Sequence, residues 1–147
     1  MNGTPIEINL KLANEKVQFT AVSSTRPDQP ITMDYLPPIG DGEGFLGLEL
    51  LTMSFAGCVS TAIVALLRRM GKSVNNYRMQ VLGYKNENPL SLEKIRLTIS
   101  VETQDATDED VQKALSMAEQ ISPVWLAIKN NVEVEHQYEL IKQEVTV

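Results

Sequence analysis

The chain contains one cysteine, Cys58, in the middle of the apolar run LLTMSFAGCVSTAIVALLRR. A free cysteine is among the most often buried residue types, so packing is the first interpretation. The alternative is a reactive thiol, and because the thiolate is the nucleophile, a nearby cation or dipole must then lower its pKa below about 8.5. One cysteine allows no internal disulfide and argues against an exported, disulfide-framed protein.

Other chemistries find little support in the residue types. His136 is the sole histidine, which excludes a histidine-based metal cluster within one chain. Its neighbours alternate as in a strand, so we interpret it as a surface or core residue rather than a catalytic base. The sequence shows neither a phosphate-cradling glycine motif nor a supported Ser/His/Asp pattern. We therefore expect no cofactor and no metal.

The charge balance is acidic, with a formal net charge of −6 and a pI near 4.8. Nucleic-acid binding needs a basic surface, so we expect no nucleic-acid partner. The longest apolar stretch, residues 46–70, is interrupted by polar and charged residues, which argues against a membrane span. The N-terminus lacks the basic start and apolar core of a signal peptide, so the sequence predicts a soluble cytoplasmic protein.

The length of 147 residues and the 43% hydrophobic content predict a single domain over residues 1–147. The first third alternates apolar and polar residues, as antiparallel strands do. Strands are predicted at residues 6–12, 17–21 and 31–35, with turns at 14–15 and 24–28 and a Pro/Gly loop at 36–44.

A long apolar helix is predicted over residues 46–71, with Gly71 as its C-terminal stop and Arg68 and Arg69 favouring the helix dipole there. The helix is apolar on nearly all sides, as a buried central helix would be. Gly57 leaves the backbone bare in its middle, which suggests that another element approaches closely there.

The remaining segments are predicted to form two strands, then two helices, then a last strand. Thr107 is predicted to cap a helix ending near residue 120, and Ser122 to cap a short helix that begins with Pro123. Strands are predicted at residues 77–84, 92–103 and 132–147, with a turn at 86–89. The order βββ-α-ββ-αα-β differs from the alternation of a parallel α/β fold, so the sequence predicts an α+β fold.

The segment GLELLTMSFAGCVST, preceded by Asp34 and a glycine-rich loop and followed by ISPVWLAIKNNVEVEHQYEL, resembles the OsmC/Ohr family of osmotically inducible and organic hydroperoxide resistance proteins. The resemblance covers nearly the full chain and implies an OsmC-like intertwined homodimer, with central helices packed together and active sites at the subunit interface. It also implies peroxidase chemistry. A thiolate attacks the hydroperoxide O–O bond, a second cysteine resolves the resulting sulfenic acid as a disulfide, and an external dithiol reduces that disulfide.

On this resemblance, Cys58 corresponds to the peroxidatic cysteine, and Ser122 stands where the family has its resolving cysteine. Serine cannot form a disulfide, and helix capping explains its presence. The resemblance therefore leaves a one-cysteine cycle, in which an external thiol attacks the Cys58 sulfenic acid, or a retained fold without the activity.

The resemblance also assigns Glu49 as the glutamate that orients a thiolate-stabilising arginine. Nine residues place Glu49 on the helix face opposite Cys58 and about 13 Å along the axis. Either the helix starts after Glu49, or Glu49 reaches Cys58 of the other subunit. The alternative is that Glu49 only favours the positive end of its own helix.

The resemblance implies that an arginine from the N-terminal part stabilises the thiolate, and Arg26, the only arginine before Cys58, is the candidate for this role. An exposed turn residue is the alternative interpretation. Arg68 and Arg69 lie too far along the helix to contact Cys58 of the same chain.

Three hypotheses follow from these residues. The first is a thiol-dependent peroxidase that reduces organic, hydrophobic hydroperoxides through Cys58 and uses an external thiol reductant. The second is a non-catalytic homodimer whose interface pocket binds a small apolar ligand, with Cys58 incidental. The third is a redox protein whose Cys58 forms a mixed disulfide with a partner thiol.

Overall fold

The computed structural model describes residues 3–144 and confirms the α+β class and the predicted order of elements. Residues 145–147 of the predicted last strand lie outside the described residues. The elements are β1 (Ile8–Leu12), β2 (Phe19–Ser23), β3 (Arg26–Met33), α1 (Gly47–Arg69), β4 (Asn76–Glu87), β5 (Leu90–Thr103), α2 (Asp108–Ile121), α3 (Pro123–Ile128) and β6 (Glu133–Lys142).

The chain divides into two compact units, one ending at Leu50 and the other beginning at Leu51, and the single domain stays a prediction. In the N-terminal unit, β1, β2 and β3 form an antiparallel sheet in that order. The register aligns Leu10 with Ala21 and Ala21 with Ile31. Because side chains alternate along a strand, these apolar residues share one face of the sheet.

The turn between β2 and β3 is tighter than predicted. Ser23 pairs with Arg26, so two residues separate the strands, and the predicted turn at 24–28 is wrong in its second half. Arg26, Pro27 and Asp28 belong to β3. Proline is tolerated in β3 because this strand lies at the edge of the three-stranded sheet.

The loop after β3 is organised by the buried carboxylate of Asp34, which is 5% exposed. It accepts hydrogen bonds from the backbone N–H groups of Tyr35 at 2.7 Å and of Asp41 and Glu43 at 3.1 Å each. These bonds, that of Glu43 foremost, lower the pKa of Asp34 against the opposing effect of burial. Gly40 is required here because a Cβ would lie 2.2 Å from the Tyr35 carbonyl oxygen.

The long helix α1 begins at Gly47 and ends at Arg69, and Gly71 follows with a φ of +78°, as its predicted role as a helix stop requires. The N–H of Lys72 closes this end by donating to the Leu67 carbonyl at 3.0 Å. One stripe of the helix is fully or almost fully buried: Phe55, Val59, Ile63, Leu66 and Leu67.

The rest of α1 is more exposed than a helix buried on several sides would be. By length and composition the helix is apolar enough to cross a membrane, and 28% of its most apolar stretch is buried. The expectation that its polar interruptions disqualify it on composition was therefore wrong. Core helices of soluble proteins meet the same criterion, and the buried stripe gives α1 such a role.

The C-terminal unit contains a second three-stranded sheet, in the order β4-β5-β6. The central strand β5 runs antiparallel to β4 and parallel to β6, and the helices α2 and α3 form the crossover between β5 and β6. Buried residues alternate along β5: Ile95, Leu97, Ile99 and Val101 are at most 1% exposed. The turn between β4 and β5 is shorter than predicted, because Asn86 and Glu87 belong to β4.

Helix α2 begins as predicted after Thr107. The Thr107 hydroxyl accepts from the Asp110 N–H at 3.2 Å, while the Asp110 carboxylate accepts from the Thr107 N–H at 2.8 Å. This reciprocal capping box satisfies two backbone donors of the first turn.

The bare backbone of α1 does not face a neighbouring element of the described chain. A Cβ added at Gly57 would meet no atom within 4 Å, so the predicted close approach at Gly57 is not made within this chain. A close approach occurs instead at Gly83 of β4, where a Cβ would lie 3.1 Å from Leu92 Cδ1 and 3.4 Å from Thr52 Oγ1.

Candidate active site around Cys58

Cys58 lies in the middle of α1 and is partly exposed. The Ser122 hydroxyl donates a hydrogen bond to its Sγ at 3.1 Å. Ser122 is 1% exposed, although the two residues lie 64 positions apart in the sequence. The structure thus brings the thiol together with the residue that stands where the resembling family has its second cysteine.

The position of Ser122 is fixed by the junction of two helices. Its N–H donates to the Ala118 carbonyl at 2.9 Å and closes α2, while its carbonyl accepts from the Leu126 N–H at 3.0 Å and opens α3. Pro123 occupies the first turn of α3, where its missing N–H costs nothing. Ser122 is therefore the N-cap residue by position, as predicted.

The predicted reason for a serine at this position was wrong. The Ser122 side chain makes no capping hydrogen bond to α3. Its hydroxyl points instead to Cys58 Sγ. Capping alone therefore does not explain the residue, because its one polar side-chain contact in the described structure serves the thiol.

Aromatic packing holds α3 beside the thiol. The rings of Phe55 and Trp125 meet edge to face, with centroids 5.5 Å apart and an angle of 65° between planes. Phe55 precedes Cys58 by nearly one helical turn, and both aromatic residues are buried. His136, which is exposed, lies on the other side with its ring centroid 6.5 Å from that of Trp125. Of the two predicted alternatives, a surface or a core residue, the exposure of His136 fits the first.

Glu49 lies in the first turn of α1, and its carboxylate accepts from the Leu46 N–H at 2.9 Å. Because α1 begins at Gly47, the alternative in which the helix starts after Glu49 is wrong. Along one continuous helix, Glu49 and Cys58 face opposite sides. Within one chain, Glu49 therefore satisfies a helix N-terminus and does not contact the thiol.

Arg26 is exposed at the start of β3, and its guanidinium donates to the Thr25 carbonyl at 2.8 Å. It belongs to the N-terminal unit, and its role toward the thiolate stays a prediction. Arg68 and Arg69 lie at the C-terminal end of α1, exposed and about three turns from Cys58.

The sequence analysis predicted no pocket within the N-terminal unit, where the structure has an open pocket of about 370 Å³. Its walls are mainly apolar and come from the start of β2 with the residue two before it, the end of β3, the following loop and the first residue of α1. The alternation of apolar and polar residues in β2 and β3 predicts which of these side chains share a face of the sheet. It does not predict that they line a pocket. The lining residues are Val17, Phe19, Met33, Asp34, Tyr35, Ile39, Phe45 and Gly47.

No group of three or more His, Cys, Asp or Glu among residues 3–144 could hold a metal ion. At Cys58, the described residues bring together a single thiol and a buried hydroxyl donor.

The family model described as OsmC-like protein matches residues 40–137, which include both Glu49 and Cys58. The chain belongs to the OsmC-like protein family. No curated protein matches the chain significantly in sequence.

Solved structures confirm the OsmC-like fold over more than nine-tenths of the chain. An OsmC-like protein from Mycoplasma pneumoniae has a TM-score of 0.80 at 20% identity, covering 96% of this chain and 99% of its own. A hypothetical protein from Aquifex aeolicus VF5 has a TM-score of 0.81 at 19% identity, with 97% and 100% covered. The organic hydroperoxide resistance protein OhrB of Bacillus subtilis has a TM-score of 0.62 at 17% identity, with 92% and 98% covered. At these identities the likeness establishes the fold.

Proposed function

We propose that this OsmC-like chain is a cytoplasmic thiol-dependent peroxidase that reduces organic hydroperoxides through Cys58 in a one-cysteine cycle. The observation that carries the proposal is the buried hydroxyl of Ser122 at 3.1 Å from Cys58 Sγ, in a family whose structural neighbours include organic hydroperoxide resistance proteins. A partly exposed thiol with a polar partner is better suited to chemistry than to packing.

In the oxidative half of the cycle, the Cys58 thiolate attacks the terminal oxygen of the hydroperoxide. The S–O bond forms as the O–O bond breaks, and the departing alkoxide takes up a proton to become an alcohol. Sulfur is oxidised to a sulfenic acid while the hydroperoxide is reduced by two electrons.

In the reductive half, an external thiol attacks the sulfenic sulfur and releases water, which leaves a mixed disulfide. A second external thiol attacks that disulfide, so that the external pair leaves as a disulfide and Cys58 is regenerated. Serine cannot replace the external thiol because its oxygen forms no disulfide. The reductant must therefore reach Cys58 from outside the chain.

We further propose that the working form is a homodimer in which Glu49 and Arg26 act on the partner's thiol. Three observations support it. Gly57 exposes bare backbone one residue from Cys58, and Glu49 faces away from the Cys58 of its own helix. The sheet of the N-terminal unit also has exposed apolar residues, among them Leu10 at 57%.

The test is consumption of cumene hydroperoxide with dithiothreitol as reductant. We expect turnover by the wild type, none by Cys58→Ser, and unchanged turnover by Ser54→Ala, a matched control at an exposed position of the same helix. Full turnover by Cys58→Ser would overturn the proposal.

Subunit mixing tests the role of Glu49 across the interface. Cys58→Ser and Glu49→Gln are each expected to be impaired, and random exchange between them should restore about a quarter of wild-type activity, because half the dimers regain one intact site. No restoration in a mixture that sedimentation shows to have exchanged would contradict action across the interface.

The apolar pocket of the N-terminal unit favours a second candidate, a protein that binds a small apolar ligand. Mass spectrometry of organic extracts of the purified protein would detect such a ligand. A fatty acid that copurifies equally with the wild type and Cys58→Ala, in a protein without peroxidase turnover, would favour this candidate. An extract without ligand would count against it.

A further inference from the structure

We propose that Ser122 is a catalytic residue, because its hydroxyl is the hydrogen-bond donor that stabilises the Cys58 thiolate. The inference deepens the proposed function and rests on it. The serine at this junction then has a role of its own and is not only a substitute for a cysteine, since it donates a hydrogen bond to the reacting sulfur.

Burial leaves the Ser122 hydroxyl few alternatives. The residue is 1% exposed, so bulk water does not compete for its proton. A serine at this position usually accepts a hydrogen bond from a backbone N–H in the first turn of the helix, but the Ser122 side chain makes no such bond to α3. In residues 51–144, as the structure describes them, the Ser122 bond is the one polar contact at Cys58 Sγ.

The distance is short for a hydroxyl bonded to sulfur. In the same unit, the Ser60 hydroxyl donates to the Met79 thioether at 3.6 Å, compared with 3.1 Å for Ser122 and Cys58. A thioether never ionises, whereas a thiol becomes a strong acceptor when it loses its proton. A hydrogen bond to the charged form of a group favours that form, and the Ser122 hydroxyl is the donor that lies within reach of Cys58 Sγ.

Charged groups on the neighbouring elements do not replace this donor. In α1 the charged residues are Glu49, Arg68 and Arg69, at its two ends, and the segment PVWLAI of α3 has none. The last charged residue of α2 is Glu119, which is exposed and would disfavour a thiolate. Among the side chains of α1, α2, α3 and the junction between α2 and α3, the neutral hydroxyl of Ser122 is therefore the donor that lies at the thiol.

The same hydroxyl shapes the second half of the cycle. After oxidation of Cys58 it remains as a donor to the sulfenic acid, and its oxygen cannot displace the sulfenic hydroxyl to form a disulfide. The sulfenic acid is therefore held open to a thiol arriving from the exposed side of Cys58.

The experiment is the rate of Cys58 alkylation by iodoacetamide between pH 5 and 10, which requires no peroxidase turnover. In Ser122→Ala we expect the midpoint of the rate-against-pH curve to rise by about one pH unit, the loss of one hydrogen bond to a charged group. Ser60→Ala is the matched control, since it removes a partly buried hydroxyl that donates a hydrogen bond to a different sulfur, that of Met79. In this variant the midpoint of Cys58 alkylation should not move. An unchanged midpoint in a folded Ser122→Ala would overturn the inference.

A second variant tests the geometry directly. In Ser122→Cys, one equivalent of cumene hydroperoxide should produce a disulfide between Cys58 and the introduced thiol, detected by mass spectrometry of the linked peptides. Absence of that link in a folded, oxidised variant would show that the side chain at 122 does not reach Cys58.

Failure of the inference and failure of the proposed function are distinguishable. If the wild type consumes no hydroperoxide but Ser122→Ala still shifts the alkylation midpoint, the peroxidase proposal fails and the role of Ser122 in stabilising the thiolate stands. If the wild type turns over and the midpoint does not shift, the peroxidase proposal stands and the inference fails.

Discussion

The two units of the chain contain equally regular patterns of apolar residues but use them differently. In β5, alternate residues such as Ile95 and Leu97 are fully buried. In β1, the alternating residues Ile8, Leu10 and Leu12 remain 49–57% exposed. The alternation of apolar and polar residues therefore determines which side chains share a face of the strand. It does not determine whether other residues pack on that face and bury it.

The contrast extends to what stabilises each unit. The C-terminal unit has a core of buried apolar side chains from α1, β5, α2 and α3. Among residues 3–50, the one buried side chain is the carboxylate of Asp34, which gathers three backbone N–H groups. Backbone hydrogen bonds thus stabilise the N-terminal unit, whose apolar side chains in β1 are exposed.

The largest expected effect is the loss of stability caused by a substitution in the core of the C-terminal unit. Phe55→Ala should lower the free energy of unfolding by about 3–5 kcal/mol, because it removes a fully buried ring packed edge-on against Trp125. Urea unfolding followed by circular dichroism measures the loss. Phe45→Ala, at a ring that is 46% exposed, is the matched change in the N-terminal unit and should cost less than half as much. Equal losses of unfolding free energy in the two variants would contradict the conclusion that a buried apolar core stabilises only the C-terminal unit.

An intermediate effect is expected at the apolar face of the N-terminal sheet. Leu10→Asn should raise the dissociation constant of the proposed homodimer about tenfold, because burial of this side chain requires the partner. Sedimentation equilibrium measures the constant, and Lys11→Asn, which alters the opposite face of β1, should leave it near the wild-type value. If the two variants sediment identically, the partner does not cover this face.

The smallest effect is expected at Asp34 and depends on pH. Its pKa lies below the ordinary 3.8 in the folded chain, so its stabilising contribution is complete above about pH 4 and is lost as the pH falls through the folded value. Asp34→Asn should lower the Tm by roughly 2–4 °C at pH 7. The difference should narrow toward pH 3, as differential scanning fluorimetry would record. Asp28→Asn, at an exposed position of β3, is the control, and a pH-independent deficit in Asp34→Asn would contradict the assignment.

Local chemistry predicted most of the elements correctly. The Thr107 cap and the Gly71 stop were readable because each depends on backbone groups within one turn of the residue itself. The turn at 24–28 was misplaced because Arg26, Pro27 and Asp28 favour turns locally, while pairing with β2 extends them as an edge strand. In that segment, the backbone hydrogen bonds between β2 and β3 outweighed the preference of the residues themselves for a turn.

The candidate site was predictable only in part. The sequence alone identified Cys58 as the possible nucleophile, placed Ser122 at the start of a helix, and set Glu49 and Cys58 on opposite faces of one helix. These conclusions follow from residue chemistry and from the fixed rise and rotation of a helix.

Only the tertiary structure decided what the Ser122 hydroxyl does. Its direction depends on α1 packing against the α2–α3 junction through Phe55 and Trp125, which are distant in sequence. The same holds for Gly57, where a Cβ would have no atom within 4 Å among the described residues. A side chain's own sequence neighbourhood fixes its backbone conformation, whereas its partners come from whichever segment the fold brings within reach.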